Sequence, residues 1–317
     1  MATSDDVRGV LICANPYSGS GPNRRYVEGL AGALTSKGFE PKLVWDVSER
    51  KALLADAALI DEYRCVVVAG GDGSIQAVVN ELGEAGRLDV SPASTNIAFA
   101  TLPMGNENLF ARHFGFTRGV DRLASVIEAG RTKQIDLGRV THDDGGAGAL
   151  FTLMAGVGFD AEVVHRMDRW RASGGGLRRV RRVSYVPKVV SSLGGYGYPM
   201  LKIDADGREL AGAHLFVFNL PRYGGGLVIA PPGSSADDGL LDWVLFERPG
   251  RVAMLSAAWA VLRGGHLNRP GVSHGRASRV RVRAEEQVPV QVDGDPAGHV
   301  PVDVRIADRQ KLELLIT

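Results

Sequence analysis

A mixed α/β chain with two domains is predicted by two changes of pattern along the sequence. Up to about Gln134, short apolar, β-branched runs alternate with helical patterns; beyond it, short alternating stretches are separated by turn residues. At 317 residues the chain also exceeds the usual size of one domain. We therefore expect an N-terminal doubly wound parallel-sheet domain over residues 1–134. A C-terminal antiparallel β-sandwich domain should follow over residues 135–317, and its last residues can return to the first domain.

In the first domain, four strand signals are each followed by a helix. The strands are expected in "VRGVLICA", "PKLVWD", Cys65–Ala69 and "NIAFATL", and the helices from about Arg24, through Ala58, from Ser74 and from Glu107. Three loops follow the carboxyl ends of strands: "NPYSGSGPN", "GGDGS" and "PMGNEN". Open parallel sheets bind ligands at that edge. Because glycine, asparagine and serine dominate these loops, we expect contacts to phosphate and ribose.

The loop "GGDGS" joins the buried strand at Cys65–Ala69 to a helix, so N–H groups at the helix start can meet an anion. It lacks the lysine of a P-loop, and Gln76 stands where the dinucleotide fingerprint needs a glycine or alanine. A carboxylate beside phosphate is repulsive unless a cation intervenes. Asp72 therefore suggests a bridging Mg²⁺. The alternative is a tight turn with an incidental aspartate.

In the second domain, strands are expected in nine stretches and a helix at about Arg251–Arg263. The stretches are "QIDLGRV", "ALFTLMAGVG", "MLKIDADG", "AHLFVFNL", "LLDWVLFE", "SRVRVRA", "VPVQVDG", "VDVRIA" and "LELLIT". We find no internal repeat, low-complexity tract or heptad seam in the sequence.

The net charge of +1 gives no overall attraction to nucleic acid. Cys13 and Cys65 lie in apolar runs, so we expect both to be core residues. Cysteines used in this way are typical of proteins in a reducing compartment. The N-terminus has no signal-peptide pattern, and the apolar run at Met254–Leu262 is too short to span a bilayer. These features predict a cytoplasmic location.

One basic segment, His165–Val190, holds seven arginines between Arg166 and Arg182 together with Trp170. We interpret it as a lid that meets an anionic membrane surface, which would make the protein a peripheral membrane protein. A solvated helix face is the alternative reading. Nucleic acid is the weaker partner, and we expect none to bind.

Five motifs in order, "NPYSGSG", "GGDGSIQAVVNEL", "LPMGNENLFARHFG", "ADDGLLDWVLF" and "VQVDGDPAG", resemble the diacylglycerol kinase catalytic family over nearly the whole chain. That family includes bacterial lipid kinases and the sphingosine and ceramide kinases. The resemblance implies a kinase that uses ATP and Mg²⁺ to phosphorylate a lipid hydroxyl, on diacylglycerol or a sphingoid-like lipid. The cleft would lie between a nucleotide domain and a lipid-binding β-sandwich.

The resemblance also implies a set of site residues. Nucleotide contacts would come from Asn15, Pro16, Tyr17, Ser18, Gly19, Gly70, Gly71, Asp72, Gly73, Ser74, Ile75, Gln76, Gly105 and Asn106, with Asp46 a weaker candidate. A structural Mg²⁺ would be held by Asp238 and the Leu240 carbonyl, with Ser235 in place of an aspartate. A β-turn explains Asp238 equally well. Asp293 would be the catalytic base, although Asp-Gly after an alternating run is also a common hairpin turn.

The third loop departs from the family pattern, because Asn106 replaces a threonine and Leu109 stands where an acidic residue is expected. Glu107 is the substitute acid, or else a favourable charge in the first helical turn. Two rival functions follow. One is an NAD kinase-like enzyme, disfavoured because the loop lacks the glycine-rich continuation of that family. The other is a non-catalytic nucleotide- or lipid-sensing module on a decayed kinase. A homodimer is one assembly open to the chain.

Overall fold

The computed structural model of the chain describes residues 7–15, 23–90, 96–143, 148–175 and 193–316. It divides into two compact units, Met1–Asp136 with Asp308–Thr317, and Leu137–Ala307. Strand β16 contributes residues to both units, and we describe each unit by itself.

The first unit alternates strands and helices along the chain. Its elements are β1 (Gly9–Ala14), α1 (Asn23–Ser36), β2 (Glu40–Val44), α2 (Val47–Ala55), α3 (Ala57–Ile60), β3 (Tyr63–Gly70), α4 (Asp72–Glu84), β4 (Ala98–Pro103), α5 (Leu109–His113) and α6 (Val120–Ala129). The strands pair in parallel in the order β2-β1-β3-β4, and the last part of β16 (Val302–Leu315) pairs in parallel with β4.

Strands β1 and β3 form the centre of this sheet and are buried along almost their whole length, because their side chains are apolar on both faces. The chain passes from β1 to β2 on one side and then returns to β3 on the other side. The order of strands therefore reverses between β1 and β3. In open α/β sheets the ligand crevice lies at such a switch point, beyond the carboxyl ends of the strands.

The second unit is built mainly of antiparallel strands. Its elements are β5 (Thr132–His142), β6 (Ala149–Phe151), β7 (Met154–Val157), α7 (Phe159–Trp170), β8 (Leu201–Ala205), β9 (Arg208–Gly212), β10 (His214–Phe218), β11 (Leu241–Phe246), α8 (Arg251–Leu262), β12 (Val272–Ala277), β13 (Arg279–Arg283), β14 (Pro289–Val292), β15 (Asp295–His299) and the first part of β16.

Two sheets enclose the core of this unit. One has six strands in the order β12-β11-β10-β7-β14-β15, and the other contains β16, β13, β8 and β9, with β5 paired to β16 and β6. A single apolar cluster takes residues from both sheets, among them Val217 and Trp243 from the first and Val280 and Val304 from the second. The predicted fold class, a parallel-sheet α/β domain followed by an antiparallel sandwich, is confirmed.

The sequence pattern missed or misread several elements. "ALFTLMAGVG" forms two strands interrupted at Thr152 and Leu153, whereas "VDVRIA" and "LELLIT" form one continuous strand, β16. Helix α7 and strands β9, β12 and β15 were not predicted. Strand β15 escapes notice because its sequence, "DPAGH", has none of the β-branched or aromatic residues typical of strands. Among the described residues, no helix is long and apolar enough to cross a membrane.

Candidate functional site

Asn15, the first residue of the first predicted loop, lies with the second and third loops at the carboxyl edge of the sheet. The Asn15 side chain, just after β1, donates to the Ser74 hydroxyl in the first turn of α4 at 3.1 Å. The Met104 N–H, just after β4, donates to the Gly70 carbonyl at 2.8 Å. The ends of β1, β3 and β4 are thereby joined by hydrogen bonds beside the switch point of the sheet. This is the place where the sequence predicted the nucleotide loops to meet.

Two glycines allow the second and third loops to pack backbone against backbone. A Cβ on Gly105 would lie 2.6 Å from the Gly71 Cα and 2.9 Å from the Asn108 Oδ1, closer than real Cβ atoms approach. The Asn108 side chain also fixes the loop, because it accepts from the Gly105 N–H at 2.8 Å and donates to the Gly105 carbonyl at 2.9 Å. Asn108 itself has φ 49°, a left-handed conformation that asparagine tolerates. The side chain of Asn106 is exposed.

The Asp72 carboxylate bridges these loops. Its Oδ2 accepts from the Leu109 N–H and its Oδ1 from the Phe110 N–H, both at 3.0 Å, so Asp72 caps the start of α5. Asp72 is half-buried, so it contributes to packing as well as to the loop contacts. Burial raises the pKa of Asp72, the backbone hydrogen bonds oppose this shift, and the charge of Glu107 adds to it.

Asp72 can still serve a cation. An ionised carboxylate offers about four lone-pair sites, and the bonds from Leu109 and Phe110 leave part of that capacity unused. Glu107 is close enough for its charge to act on Asp72. Within the described ranges, no cluster of three His, Cys, Asp or Glu residues could hold a metal on protein ligands alone. Magnesium that binds together with a nucleotide takes most of its ligands from phosphate oxygens and water, so one or two protein carboxylates suffice. The residues present therefore fit a Mg²⁺ that binds with the nucleotide.

Asp46 has a structural explanation that needs no nucleotide. Its side chain accepts from the Glu49 N–H at 2.9 Å and forms the N-cap of α2. Aspartate is among the best residues at this position, because its oxygen satisfies an N–H that the helix leaves unpaired.

In the second unit, Asp293 is held by four donors. Its Oδ2 accepts from the Thr152 N–H at 2.8 Å and the Thr152 hydroxyl at 2.9 Å, and its Oδ1 accepts from the N–H groups of Leu153 and Met154, both at 2.9 Å. These donors lie at the interruption between β6 and β7. Asp293 therefore ties the β14–β15 hairpin to that interruption.

The backbone of Asp293 is also that of a turn. Its φ is 49° and that of Gly294 is 90°, as in a tight hairpin turn. Burial raises the pKa of Asp293 to about 6, against the lowering effect of its four hydrogen bonds. Because its lone pairs are engaged, the geometry supports a positioning role for Asp293 rather than the role of the base.

Two acidic residues near this turn were missed in the sequence. Asp295, two residues later, is half-buried, and no hydrogen bond reaches its carboxylate from the described part of the chain. Burial raises its pKa, with Arg171 opposing and Asp168 reinforcing the shift. Its place in "VDGD" is a signal for a second acidic residue in this turn, but the prediction named only Asp293, the aspartate of the Asp-Gly pair.

The other missed residue is Asp160, in the first turn of α7. Its carboxylate accepts hydrogen bonds from the Tyr223 hydroxyl and from Gln291 Nε2, the latter at 2.9 Å. Gln291 in turn accepts from the Gly294 N–H at 2.8 Å. Asp160 thus fixes the amide that supports the Asp293 turn. The signal in the sequence is "GFDAEVV", in which an aspartate opens an amphipathic helix.

The predicted structural Mg²⁺ site contains an arginine. Asp238 accepts from the Leu240 N–H at 3.1 Å and lies 3.5 Å from Arg276 Nη1. Arg276 also donates to Asp242 at 3.1 Å and to the Gly233 carbonyl. The Ser235 hydroxyl donates to Asp237. A guanidinium therefore supplies the positive charge beside Asp238. The residues do not fit a Mg²⁺ bound by Asp238, Leu240 and Ser235.

Several predicted residues lie outside the described ranges. These are Pro16, Tyr17, Ser18 and Gly19 of the first loop and Arg178, Arg179, Arg181 and Arg182 of the basic segment. In the described part of that segment, Arg166 pairs with Glu162 one helical turn away, and Arg169 lies 3.7 Å from the same carboxylate. The Arg166–Glu162 pair is partly buried, whereas the Arg169 side chain is exposed.

Comparison with known proteins places both parts of the chain. Residues 9–140 match the diacylglycerol kinase catalytic domain, and residues 154–315 match the YegS C-terminal NAD kinase beta sandwich-like domain. A Mycobacterium tuberculosis diacylglycerol kinase is 30% identical over 301 residues, covering 93% of this chain and 91% of the relative. A Bacillus subtilis diacylglycerol kinase is 26% identical, covering 92% of this chain and 90% of the relative.

The fold is also that of solved structures. A crystal structure of a diacylglycerol kinase from Bacillus anthracis aligns with a TM-score of 0.65 at 16% identity, and a second structure from the same organism with 0.72 at 19%. Each covers 98% of this chain and 98% of the solved chain. With both domain matches and a relative at 30% identity over nearly the full length, this chain belongs to the diacylglycerol kinase catalytic family.

Proposed function

We propose that this protein is an ATP- and Mg²⁺-dependent lipid kinase that transfers the γ-phosphate to a lipid hydroxyl, with diacylglycerol or a sphingoid-like lipid as the acceptor. The observation that carries the proposal is that Asn15 and the two glycine-rich loops after β3 and β4 meet at the switch point of the first unit, with Asp72 among them. Membership of the family and the printed names of the relatives support the choice of a lipid acceptor.

The nucleotide phosphates would lie against the loop from Gly70 to Ser74. Helix α4 begins there without a side-chain cap, so N–H groups of its first turn and the helix dipole favour an anion. Gly71 keeps the loop free of side-chain bulk where it contacts Gly105. Asn15 orients the Ser74 hydroxyl on the same edge. Glycine N–H groups and dipole would thus do the work that a lysine does in a P-loop.

Asp72 would hold the magnesium that accompanies the phosphates, and Glu107 is the second acid of that neighbourhood. Bound Mg²⁺ supplies neutralisation of the phosphate charge that develops during transfer. Asp72 has a second task on its own chain, because its bonds to Leu109 and Phe110 fix the third loop against the second. The same carboxylate would then couple loop geometry to metal position.

Transfer to an alcohol also requires an acceptor for the hydroxyl proton. We assign this role to Asp295, whose carboxylate receives no hydrogen bond from the described residues and whose pKa burial raises. Asp293 would position it, since the two residues flank Gly294 in one turn. Asp293 as the base, the sequence-based prediction, and Glu107 as a substitute base remain the two competing assignments.

The test is phosphoryl transfer by the purified protein. Protein, Mg²⁺ and ATP labelled in the γ-phosphate are incubated with diacylglycerol, a sphingoid base, ceramide or NAD, and the organic products are separated and counted. Label in a lipid, and its loss in Asp72→Asn, is the expected result. Label in NAD would establish the NAD kinase-like alternative. No label in any acceptor, with ATP bound normally, would establish a non-catalytic sensing module.

A further inference from the structure

Helix α8 carries an apolar stripe on its solvent side. Val252, Leu255, Trp259 and Leu262 are 83%, 54%, 56% and 63% exposed, and they make up four of the nine exposed large hydrophobic residues of the described chain. At about 3.6 residues per turn these four positions fall within about 80° of the helix circumference. Exposed apolar residues that stand singly need no explanation, but a contiguous stripe of this kind marks an interaction surface.

The other side of α8 is the one that packs against its unit. Met254 packs against an aromatic cluster that contains Phe159 and Tyr198. Ala260, one helical position beyond Trp259, is buried. The helix is therefore held to its unit through one side while it presents large apolar side chains on the other. Stability of the fold does not require leucine or tryptophan at the exposed positions.

The charged residues in the sequence on either side of the stripe are all of one sign. Arg248, Arg251, Arg263 and Arg269 are exposed, and the sequence has no Asp or Glu from residue 248 to residue 284. By helical position, Arg251 and Arg263 border the stripe on its two sides. The Arg263 guanidinium lies over the Trp259 ring, 4.5 Å from its centroid. An apolar stripe with an interfacial tryptophan and flanking arginines is the composition of helices that lie in the head-group region of anionic bilayers.

We propose that the exposed face of α8, formed by Val252, Leu255, Trp259 and Leu262 with the flanking Arg251 and Arg263, docks the protein on anionic phospholipid surfaces. The helix has 12 residues, about 18 Å of length, so it lies in the interface and cannot span the bilayer. The inference rests on the proposed function for its biological sense, because a lipid kinase must work where its acceptor is dissolved. It differs from the basic segment Arg166–Arg182 as a docking element.

The experiment measures binding without nucleotide. Vesicles of phosphatidylglycerol and phosphatidylcholine in equal parts are sedimented with the full-length protein, and the bound fraction is determined. We expect Leu255→Ser/Leu262→Ser to weaken binding at least about tenfold. Arg251→Gln and Arg263→Gln should each weaken it about fivefold at low salt. The matched control is Val90→Ser, an exposed valine of the first unit, which should bind as the wild type does.

The depth of Trp259 in the bilayer is measured on the same samples with brominated phospholipid, which quenches tryptophan fluorescence only when the ring enters the acyl region. Wild-type fluorescence should be quenched, and Trp259→Phe should bind normally but lose most of the quenching. Circular dichroism and size-exclusion profiles of every variant must match those of the wild type, since the changed residues are exposed. Quenching that survives in Trp259→Phe would overturn the proposal by placing the insertion at another tryptophan.

Two further outcomes would also overturn it. One is vesicle binding that is unchanged in the double serine variant. The other is a wild type that is a dimer and a double serine variant that is a monomer, with no vesicle binding by either protein. The face would then be covered by a second copy of the chain. Phosphorylation of short-chain diacylglycerol in detergent micelles is measured in parallel. Activity there without vesicle binding rejects α8 docking alone, whereas vesicle binding without activity rejects the proposed function alone.

Discussion

Asp72 and Asp293 occupy similar sequence contexts and have different environments. Each follows a buried strand and precedes a glycine, in "GGDG" and "VQVDG". Asp72 opens helix α4 and accepts N–H groups from the start of another helix, whereas Asp293 sits in a hairpin turn and accepts four donors from a strand interruption. The same dipeptide therefore produces a carboxylate with spare coordination capacity in one unit and a saturated one in the other.

The chemical role of a carboxylate depends on the lone pairs that are not used by hydrogen bonds in the folded protein. A carboxylate that accepts four hydrogen bonds stabilises its surroundings, and a base or metal ligand needs at least one site for its target. By this criterion Asp72 remains available to a cation. For proton transfer, Asp295 is better placed than Asp293, although the two residues are separated only by Gly294.

The largest expected effect is a loss of turnover that distinguishes Asp295 from Asp293 in the hairpin. We expect Asp295→Asn to lower turnover by about 10² to 10⁴-fold with little change in unfolding free energy. Asp293→Asn should instead lower the free energy of unfolding by about 3 kcal/mol, because the amide nitrogen faces N–H donors, while the folded protein loses less than about tenfold in turnover. Urea denaturation and steady-state kinetics measure the two quantities. A stable Asp293→Asn with a large loss of turnover would make Asp293 the base.

The next effect concerns Asp72. We expect Asp72→Asn to lower turnover at least about 100-fold, as loss of one electrostatic stabiliser does. It should also cost about 1 kcal/mol of stability, because the amide nitrogen would replace one of the two oxygens that accept from Leu109 and Phe110 at the start of α5. The control is Asp46→Asn at the N-cap of α2, where asparagine caps as well as aspartate and both quantities should stay unchanged. Near-normal turnover of Asp72→Asn at low Mg²⁺ would leave Asp72 only its capping role.

The sequence predicted the first unit well, because its strands and helices follow clear apolar periodicities and its loops follow from the parallel topology. It could not show that Asp72 reaches the N–H groups of Leu109 and Phe110, a contact 37 and 38 residues away along the chain. Nor could it show the four hydrogen bonds of Asp293, since their donors at Thr152 to Met154 lie about 140 residues earlier. Local patterns indicate elements, whereas lone-pair occupancy depends on tertiary contacts.

The predicted structural metal site shows the same limit more sharply. Its motif, from Ser235 to Leu240, is local and was recognised, but the residue that changes its chemistry, Arg276, comes from β12. That strand has a weakly apolar sequence and was not predicted. The pairing of β12 with β11 places Arg276 opposite Asp242, and the guanidinium then lies beside both carboxylates.

A smaller effect tests the packing that brings Asp72 to its donors. Gly105→Ala should cost about 2 kcal/mol of stability and reduce turnover, because the new Cβ would meet the Gly71 Cα and the Asn108 Oδ1. The control is Gly32→Ala in helix α1, where a Cβ meets nothing within 4 Å and the change should stabilise the helix by about 0.5 to 1 kcal/mol. If Gly105→Ala matched the wild type in thermal denaturation, the close approach of the two loops would be refuted.

The smallest effect is the pH dependence of stability through Asp293. Its pKa is raised in the folded state to about 6, so its contribution to stability is fully present below its ordinary pKa near 4 and is lost as the pH rises through about 6. The effect is reduced because Asp293 is only partly buried and solvent screens part of the shift. Urea unfolding from pH 4 to pH 7 should show this decline in the wild type relative to Asp293→Asn. Parallel profiles for the two proteins would contradict it.

The most direct test of the central claim is to follow the γ-phosphate itself. ATP with ¹⁸O in the γ-phosphate is incubated with Mg²⁺, short-chain diacylglycerol in micelles and either the wild type or Asp72→Asn, and the lipid product is weighed by mass spectrometry. We expect a phosphorylated lipid that carries the heavy oxygens, formed by the wild type and nearly absent with Asp72→Asn. Heavy oxygens found only in free phosphate, or equal yields from the two proteins, would contradict it.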